Sequence, residues 1–145
     1  LEAAGSPRAG WDSRVTLGHA LDRIEQNQSP DFLKTRRWQL DWQNDVALGE
    51  RHAVTAGVLL QQEEASSESF GLGFDRDTGM QLAYLQDQFT AGRHRLLAAL
   101  GYTNHEDFGG ETTWNLEYGL ALTQATSLSL AAGTAFRAPD ATDRY

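Results

Sequence analysis

Residues 112–136 constrain the fold most, because they hold two runs of strict alternation separated by three residues. Leu128, Leu130, Ala132, Thr134 and Phe136 fall on one side of an extended chain, and Ser129, Ala131, Gly133 and Ala135 on the other. That repeat of two is the side-chain period of a β-strand. The preceding run is stronger: Thr112, Trp114, Leu116, Tyr118, Leu120 and Leu122 alternate with Thr113, Asn115, Glu117, Gly119, Ala121 and Thr123. Only Gln124, Ala125 and Thr126 intervene, which predicts a long antiparallel hairpin with a tight turn. Each strand has one apolar face and one small or polar face, as in a sheet lying between two different solvents.

In the same register the chain reads as about seven strands. The first covers 11–24, with Val15, Leu17, His19 and Leu21 on one face, and a polar loop with a proline follows at 25–33. The second sets Trp38, Leu40, Trp42, Val46 and Leu48 against Arg37, Gln39, Asp41, Gln43, Asp45 and Ala47, with Asn44 as a polar interruption on the apolar side. A face carrying an arginine, two aspartates and two glutamines cannot be a dry core, so it must meet water. After a turn at 49–52, the third strand places Val54, Ala56, Val58 and Leu60 against Thr55, Gly57, Leu59 and Gln61.

Residues 63–79 are acidic and rich in Gly and Ser, and read as the longest loop. The fourth strand, 80–89, alternates weakly: Leu82 and Tyr84 share a face with Gln86, and Ala83 and Leu85 share the other with Asp87 and Phe89, which leaves its apolar face open. A turn at 91–94 leads to the fifth strand, with Leu96, Ala98, Leu100 and Tyr102 on one side, and a loop at 104–111 returns to the hairpin already described.

Connections alternate between short turns near 50, 92 and 125 and longer polar loops at 25–33, 63–79 and 104–111. Outer-membrane barrels share that asymmetry, with short turns on one side and long loops on the other. Trp38, Trp114, Tyr102 and Phe136 fall near the long-loop ends on the apolar face and Trp11 near the short-turn end, as two interfacial girdles would require. Strands of about ten residues suit a tilted crossing of the hydrocarbon layer. The fold class that follows is all-β, an antiparallel up-and-down meander forming part of a transmembrane β-barrel. A soluble sandwich or lipocalin-like barrel binding a small apolar ligand or a partner stays open, since a soluble sheet also buries one apolar face.

Composition narrows the partners. No run approaches the roughly 18 apolar residues of a spanning helix, and mean hydropathy is -0.50, which excludes a helical membrane protein but not a barrel. Cysteine is absent, which removes disulfides, thiolate metal sites and a cysteine nucleophile. A net charge of -8 with scattered basic residues argues against nucleic acid as partner. Residues 1–10 have neither the basic start nor the apolar stretch of a secretory signal, so the expectation is a mature chain or one cut from something longer.

The segment Gly133-Thr134-Ala135-Phe136-Arg137-Ala138-Pro139, continuing to Tyr145, resembles a signature found late in the barrel of TonB-dependent outer-membrane receptors. The stretch around 82–101 is similar to that family's strand-turn-strand pattern, although residues 101–105 lack its arginine. In texture the chain most resembles the cobalamin-receptor group. The resemblance implies bacterial outer-membrane localisation, a 22-stranded barrel plugged by an N-terminal domain, and uptake of a scarce ligand such as cobalamin or an iron chelate (siderophore). It also implies contact with TonB through an N-terminal segment. On this reading residues 1–145 are a barrel segment without plug, with outer-membrane lipid, the rest of the barrel, TonB and the transported ligand as partners. Its open edges would then pair with another chain or aggregate.

Little points to catalysis or a cofactor. His19, His52, His94 and His105 are scattered without metal-ligand spacing, and His52 and His94 read as solvent-facing turn residues. Asp75, Asp77 and Gly79 resemble the start of a calcium loop, but no acidic residue closes it. Some members of the resembled group bind calcium in outer loops. Ser127 and Ser129 have no histidine nearby, and His105 with Asp107 has no positioned serine, so no enzyme is expected. Arg37, Gln39, Asp41, Gln43, Asp45, Asn115 and Glu117 would line the lumen or meet the plug. Ligand contact falls instead to the loops at 63–79 and 104–111.

Overall fold

The structure, a computed structural model, describes residues 1–25, 31–69 and 72–135. They form one antiparallel sheet of eight strands in sequence order. The strands are β1 (Glu2–Arg8), β2 (Trp11–Glu25), β3 (Phe32–Leu48), β4 (His52–Ser69), β5 (Leu72–Ala91), β6 (His94–His105), β7 (Gly109–Ala121) and β8 (Ser127–Gly133).

The predicted faces hold. Val15, Trp42, Val58, Ala83, Tyr102 and Thr112 are successive cross-strand partners on one side, and Thr16, Asp41, Leu59, Leu82, Thr103 and Glu111 on the other. Exposure follows the same alternation. Outward apolar side chains are open, with Trp42 47% and Leu100 56% exposed, while the polar face is half-buried because the sheet curls toward it. Ala65 is the single buried apolar residue among those described. Accessible surface is 10494 Å², against about 7,400 Å² for a compact globular chain of this mass. A soluble sandwich would close a second layer over the apolar face, and the described residues form one layer only.

Two expectations are corrected, and a face left open is assigned. Among the described residues the strand count is eight, because residues 2–8 pair with β2; Pro7 and the register shift between Gly5 and Arg8 hide the alternation there. The weak fourth strand, β5, turns Ala83, Leu85, Asp87 and Phe89 outward, since Val58 pairs with Ala83 and Ala56 with Leu85. The long loops are largely ladder: β4 and β5 stay paired from His52 with Phe89 up to Ser69 with Leu72, β3 begins at Phe32, and β6 reaches His105. Strands of 17, 18 and 20 residues (β3 to β5) therefore exceed the ten or so expected. The alternation stops near Gln62 because both faces of the extension are polar, not because the ladder stops.

The short turns are staggered. Starting from the row Trp11, Val46, Val54, Asp87, Ala98, Leu116, the last pair at each successive turn lies 0, 2, 4 and 5 residues further on (Arg8 with Trp11, Leu48 with His52, Ala91 with His94, Ala121 with Ser127). That is about one residue per strand, and with ~3.3 Å rise and ~4.8 Å spacing it tilts the strands by about 35°. Transmembrane barrels tilt their strands by about 35–45°.

The apolar band has a matching height. On β4 the outward residues Val54, Ala56, Val58 and Leu60 are bracketed by His52 and Gln62; on β6, Leu96, Ala98, Leu100 and Tyr102 are bracketed by His94 and Asn104. Ten residue steps at that tilt rise about 27 Å, close to the ~25 Å apolar band of an outer-membrane barrel.

Candidate functional site

The concave face and the extended ends of the hairpins carry the polar chemistry. All seven residues expected to line the lumen lie on this face: Gln39, Asp41, Gln43 and Asp45 on β3, Arg37 above them, and Asn115 and Glu117 on β7. They are tied to each other. Asp45 accepts from the Thr55 hydroxyl at 2.6 Å and from the Gln43 amide at 2.8 Å, and the Asn115 amide donates to Glu117 at 3.0 Å. A buried oxygen of Asp41 lacks a partner among the described residues, so water at this face is its natural donor.

Tyr84 lies across Gly57, its cross-strand partner, where any side chain at position 57 would collide with the phenol. The aromatic ring covers backbone that glycine leaves bare, which pins the β4–β5 register at mid-height.

Above the band the extension of β4 and β5 is held by charge. Arg37 Nε donates to Glu63 at 2.9 Å on the concave side and Arg36 to Glu64 at 2.7 Å on the other, each pair directly opposite across β3 and β4. The β6–β7 turn is clasped to the flank of β5. The Gly79 amide donates to Glu106 Oε2 at 2.8 Å, Glu106 N–H returns a bond to the Gly79 carbonyl at 3.0 Å, and Arg76 reaches Asp107 at 2.7 Å. His105 is buried beneath this turn against Phe108, with Nδ1 accepting the Asp107 amide at 3.2 Å.

Other residues singled out in the sequence are dispersed. Asp75 and Asp77 stand on β5 and face outward, while Arg76 and Thr78, which alternate with them, face the concave side, so the calcium-loop resemblance corresponds to a strand. Ser127 and Ser129 face the concave side whereas His94 faces outward. His52 and His94 are exposed, as read from the sequence, but each is the first residue of a strand rather than a turn residue and is hydrogen-bonded through Nδ1. Gly133 ends β8 close to the Trp114 carbonyl, 2.7 Å from where a Cβ would sit. The rest of the signature, Phe136, Arg137, Ala138, Pro139 and Tyr145, lies outside the described residues.

Sequence reasoning missed the clasp at Gly79 and Glu106, although the glycine beside an otherwise continuous strand marks a close backbone approach. It also left Asn44 unexplained. On the outward face, Trp11 donates its indole N–H to Asn44 Oδ1 and Trp42 donates to Ser13 Oγ, both at 3.0 Å, and Ser13 and Asn44 are themselves cross-strand partners.

The comparison with known proteins agrees with this geometry. A family described as TonB dependent receptor-like, beta-barrel, matches residues 4–145. No curated protein matches the chain. A one-layered sheet with a barrel's tilt, an outward apolar band and a wet concave face, matched over nearly its whole length, shows that the chain belongs to the TonB-dependent receptor β-barrel family.

Proposed function

We propose that residues 1–145 form part of the barrel wall of a bacterial outer-membrane transporter that takes up a scarce ligand, cobalamin or an iron chelate. TonB-dependent receptors are outer-membrane transporters, and the observation that carries the proposal to this chain is its lack of an interior. Among the described residues the long apolar rows of β2, β3, β4, β6 and β7 face outward, and the concave side, apart from leucines such as Leu59 and Leu82, is largely polar and hydrogen-bonded. In this reading the apolar band meets lipid, the polar ladder of β3 and β4 meets the hydrated lumen and a plug domain, and TonB drives uptake through that plug. The β4–β5 extension and the clasped β6–β7 turn stand on the ligand-facing side. Gly133, the first residue of the signature that includes Phe136, Arg137, Ala138, Pro139 and Tyr145, is the last residue of β8.

Growth of cells whose receptor lacks residues 62–79 tests the ligand class. Loss of growth on limiting cobalamin with normal growth on limiting iron assigns cobalamin, and the reverse assigns an iron chelate. Unimpaired growth on both, with the shortened receptor present in the outer membrane, contradicts the proposal.

A further inference from the structure

Two of the short turns repeat a local sequence. Gly49, with φ 69°, is followed by Glu50, Arg51 and His52; Gly92, with φ 58°, is followed by Arg93 and His94. Each histidine opens the returning strand on the outward face, and each is held through Nδ1 by a side chain of a neighbouring strand. His52 meets Asp87 Oδ2 at 2.8 Å and His94 meets the Tyr118 hydroxyl at 2.7 Å. Phe89 backs the His52 ring, with centroids 4.8 Å apart. Asp87 only accepts, so His52 Nδ1 carries a proton. In both rings Nε2 is the nitrogen left over, and neither has a hydrogen-bond partner there among the described residues.

The stagger of the sheet brings these two units level. His52 lies two residues beyond the Trp11 row and His94 four residues beyond it, two strands further along. At about one residue of offset per strand the difference vanishes. The two imidazoles therefore sit at one depth, about 12 Å apart across β5 from two ~4.8 Å spacings at the 35° tilt. That depth is the lower edge of the apolar band on both strands, and Arg51 and Arg93 occupy the turns just below, both exposed. The Arg93 guanidinium makes one long bond, 3.4 Å to the Leu122 carbonyl, and Glu50 is the acidic neighbour in the other turn.

Asp87 explains why the arrangement is kept. It is a carboxylate on an outward apolar face, between Val54 and Ala98, and its Oδ1 is buried without a partner. Such a group is costly in hydrocarbon unless a donor draws it toward the interface. His52 is that donor, and the same bond fixes the direction of its Nε2.

We infer that Arg51, His52, Arg93 and His94 form a binding site for the phosphodiester headgroup of a glycerophospholipid in the leaflet on the short-turn side. Guanidinium forks match phosphate oxygens, as does the Nε2–H of His94 when the Tyr118 hydroxyl donates to its Nδ1. His52, whose N–H goes to Asp87, offers Nε2 as an acceptor for a headgroup hydroxyl or ammonium, and the headgroup layer begins where these side chains end. Asp87 and Tyr118 are positioning residues. The inference rests on the membrane-spanning reading above.

Nitrogen-15 labelled histidine in the chain, reconstituted into phosphatidylglycerol vesicles, reports the contact through phosphorus-31 dephasing of each ring nitrogen, with His→Gln variants for assignment. The expected result is strong dephasing of His52 and His94 Nε2, none for His105 on the concave side, and at least a twofold reduction in R51Q/R93Q. In D87N the His52 signal should fall while His94 keeps its own. Absence of dephasing at both histidines, with Val58 and Leu100 still contacting acyl chains, overturns the headgroup site and leaves the membrane reading intact. Loss of the acyl contacts as well overturns both. Equal dephasing by inorganic phosphate in a phosphate-free maltoside micelle assigns the site to free phosphate and overturns the lipid.

Discussion

Asn44 accepts the indole N–H of Trp11 at 3.0 Å across β2 and β3, and this bond accounts for the one polar residue that breaks the outward apolar row of β3. Trp11 stands at the lower edge of the apolar band, and an acceptor within the sheet keeps its indole donor satisfied there. In a double-mutant cycle, Asn44→Ala should cost about 1 kcal/mol with Trp11 present and almost nothing with Trp11→Phe. The coupling of roughly 0.6–1 kcal/mol is what hydrogen bonds in membranes show. Equilibrium unfolding in phospholipid vesicles reads it.

Leu100 and Ala99 are consecutive, lie at the same depth and face opposite ways. Leu100→Arg should lose about 2–4 kcal/mol for a cation near the bilayer midplane, and Leu116→Arg likewise. Ala99→Arg, opposite Gln86 and Asn115 on the wet face, should change stability by no more than about 0.5 kcal/mol. In a soluble core on the Leu100 side, arginine there would abolish folding in plain buffer.

Gly57 has backbone as well as ring against it, since a Cβ there would lie 2.7 Å from the Trp42 carbonyl oxygen. Gly57→Ala should therefore destabilise by about 1–3 kcal/mol, and Tyr84→Ala in the same chain should restore only part of it. Full restoration would mean that the ring alone sets the spacing.

Glu106 holds the β6–β7 turn through the Gly79 amide. Glu106→Ala should speed hydrogen exchange at Gly79 by about tenfold, the equivalent of ~1.4 kcal/mol, with the amides of β4 between residues 54 and 60 unchanged.

What the sequence revealed is the part of the sheet with one apolar and one polar face. Alternation at Trp38, Leu40 and Trp42 or at Trp114 and Leu116 records a boundary between two environments, and the faces read from it hold for β2, β3, β4, β6, β7 and β8. Where both faces are wet, from Glu63 to Ser69 and from Leu72 to Thr78, no alternation is needed, so a continuous ladder read as a loop. Asp87 obscured β5 because its partner His52 lies 35 residues away in sequence. Residues 2–8 were missed because Gly5, Ser6 and Pro7 give a strand little to pattern with. The concave polar row was legible residue by residue, but its hydrogen bonds and the clasp over His105 depend on contacts between strands that no local pattern encodes.

All four tryptophans, Trp11, Trp38, Trp42 and Trp114, stand on the outward face. Their fluorescence in vesicles whose acyl chains carry bromine is the most direct test of whether that face meets lipid. Strong quenching by the brominated chains, with little further loss on adding aqueous iodide, is the expected result. Emission untouched by bromine but quenched by iodide, or a folded monomer in plain buffer, would contradict a membrane-spanning barrel wall.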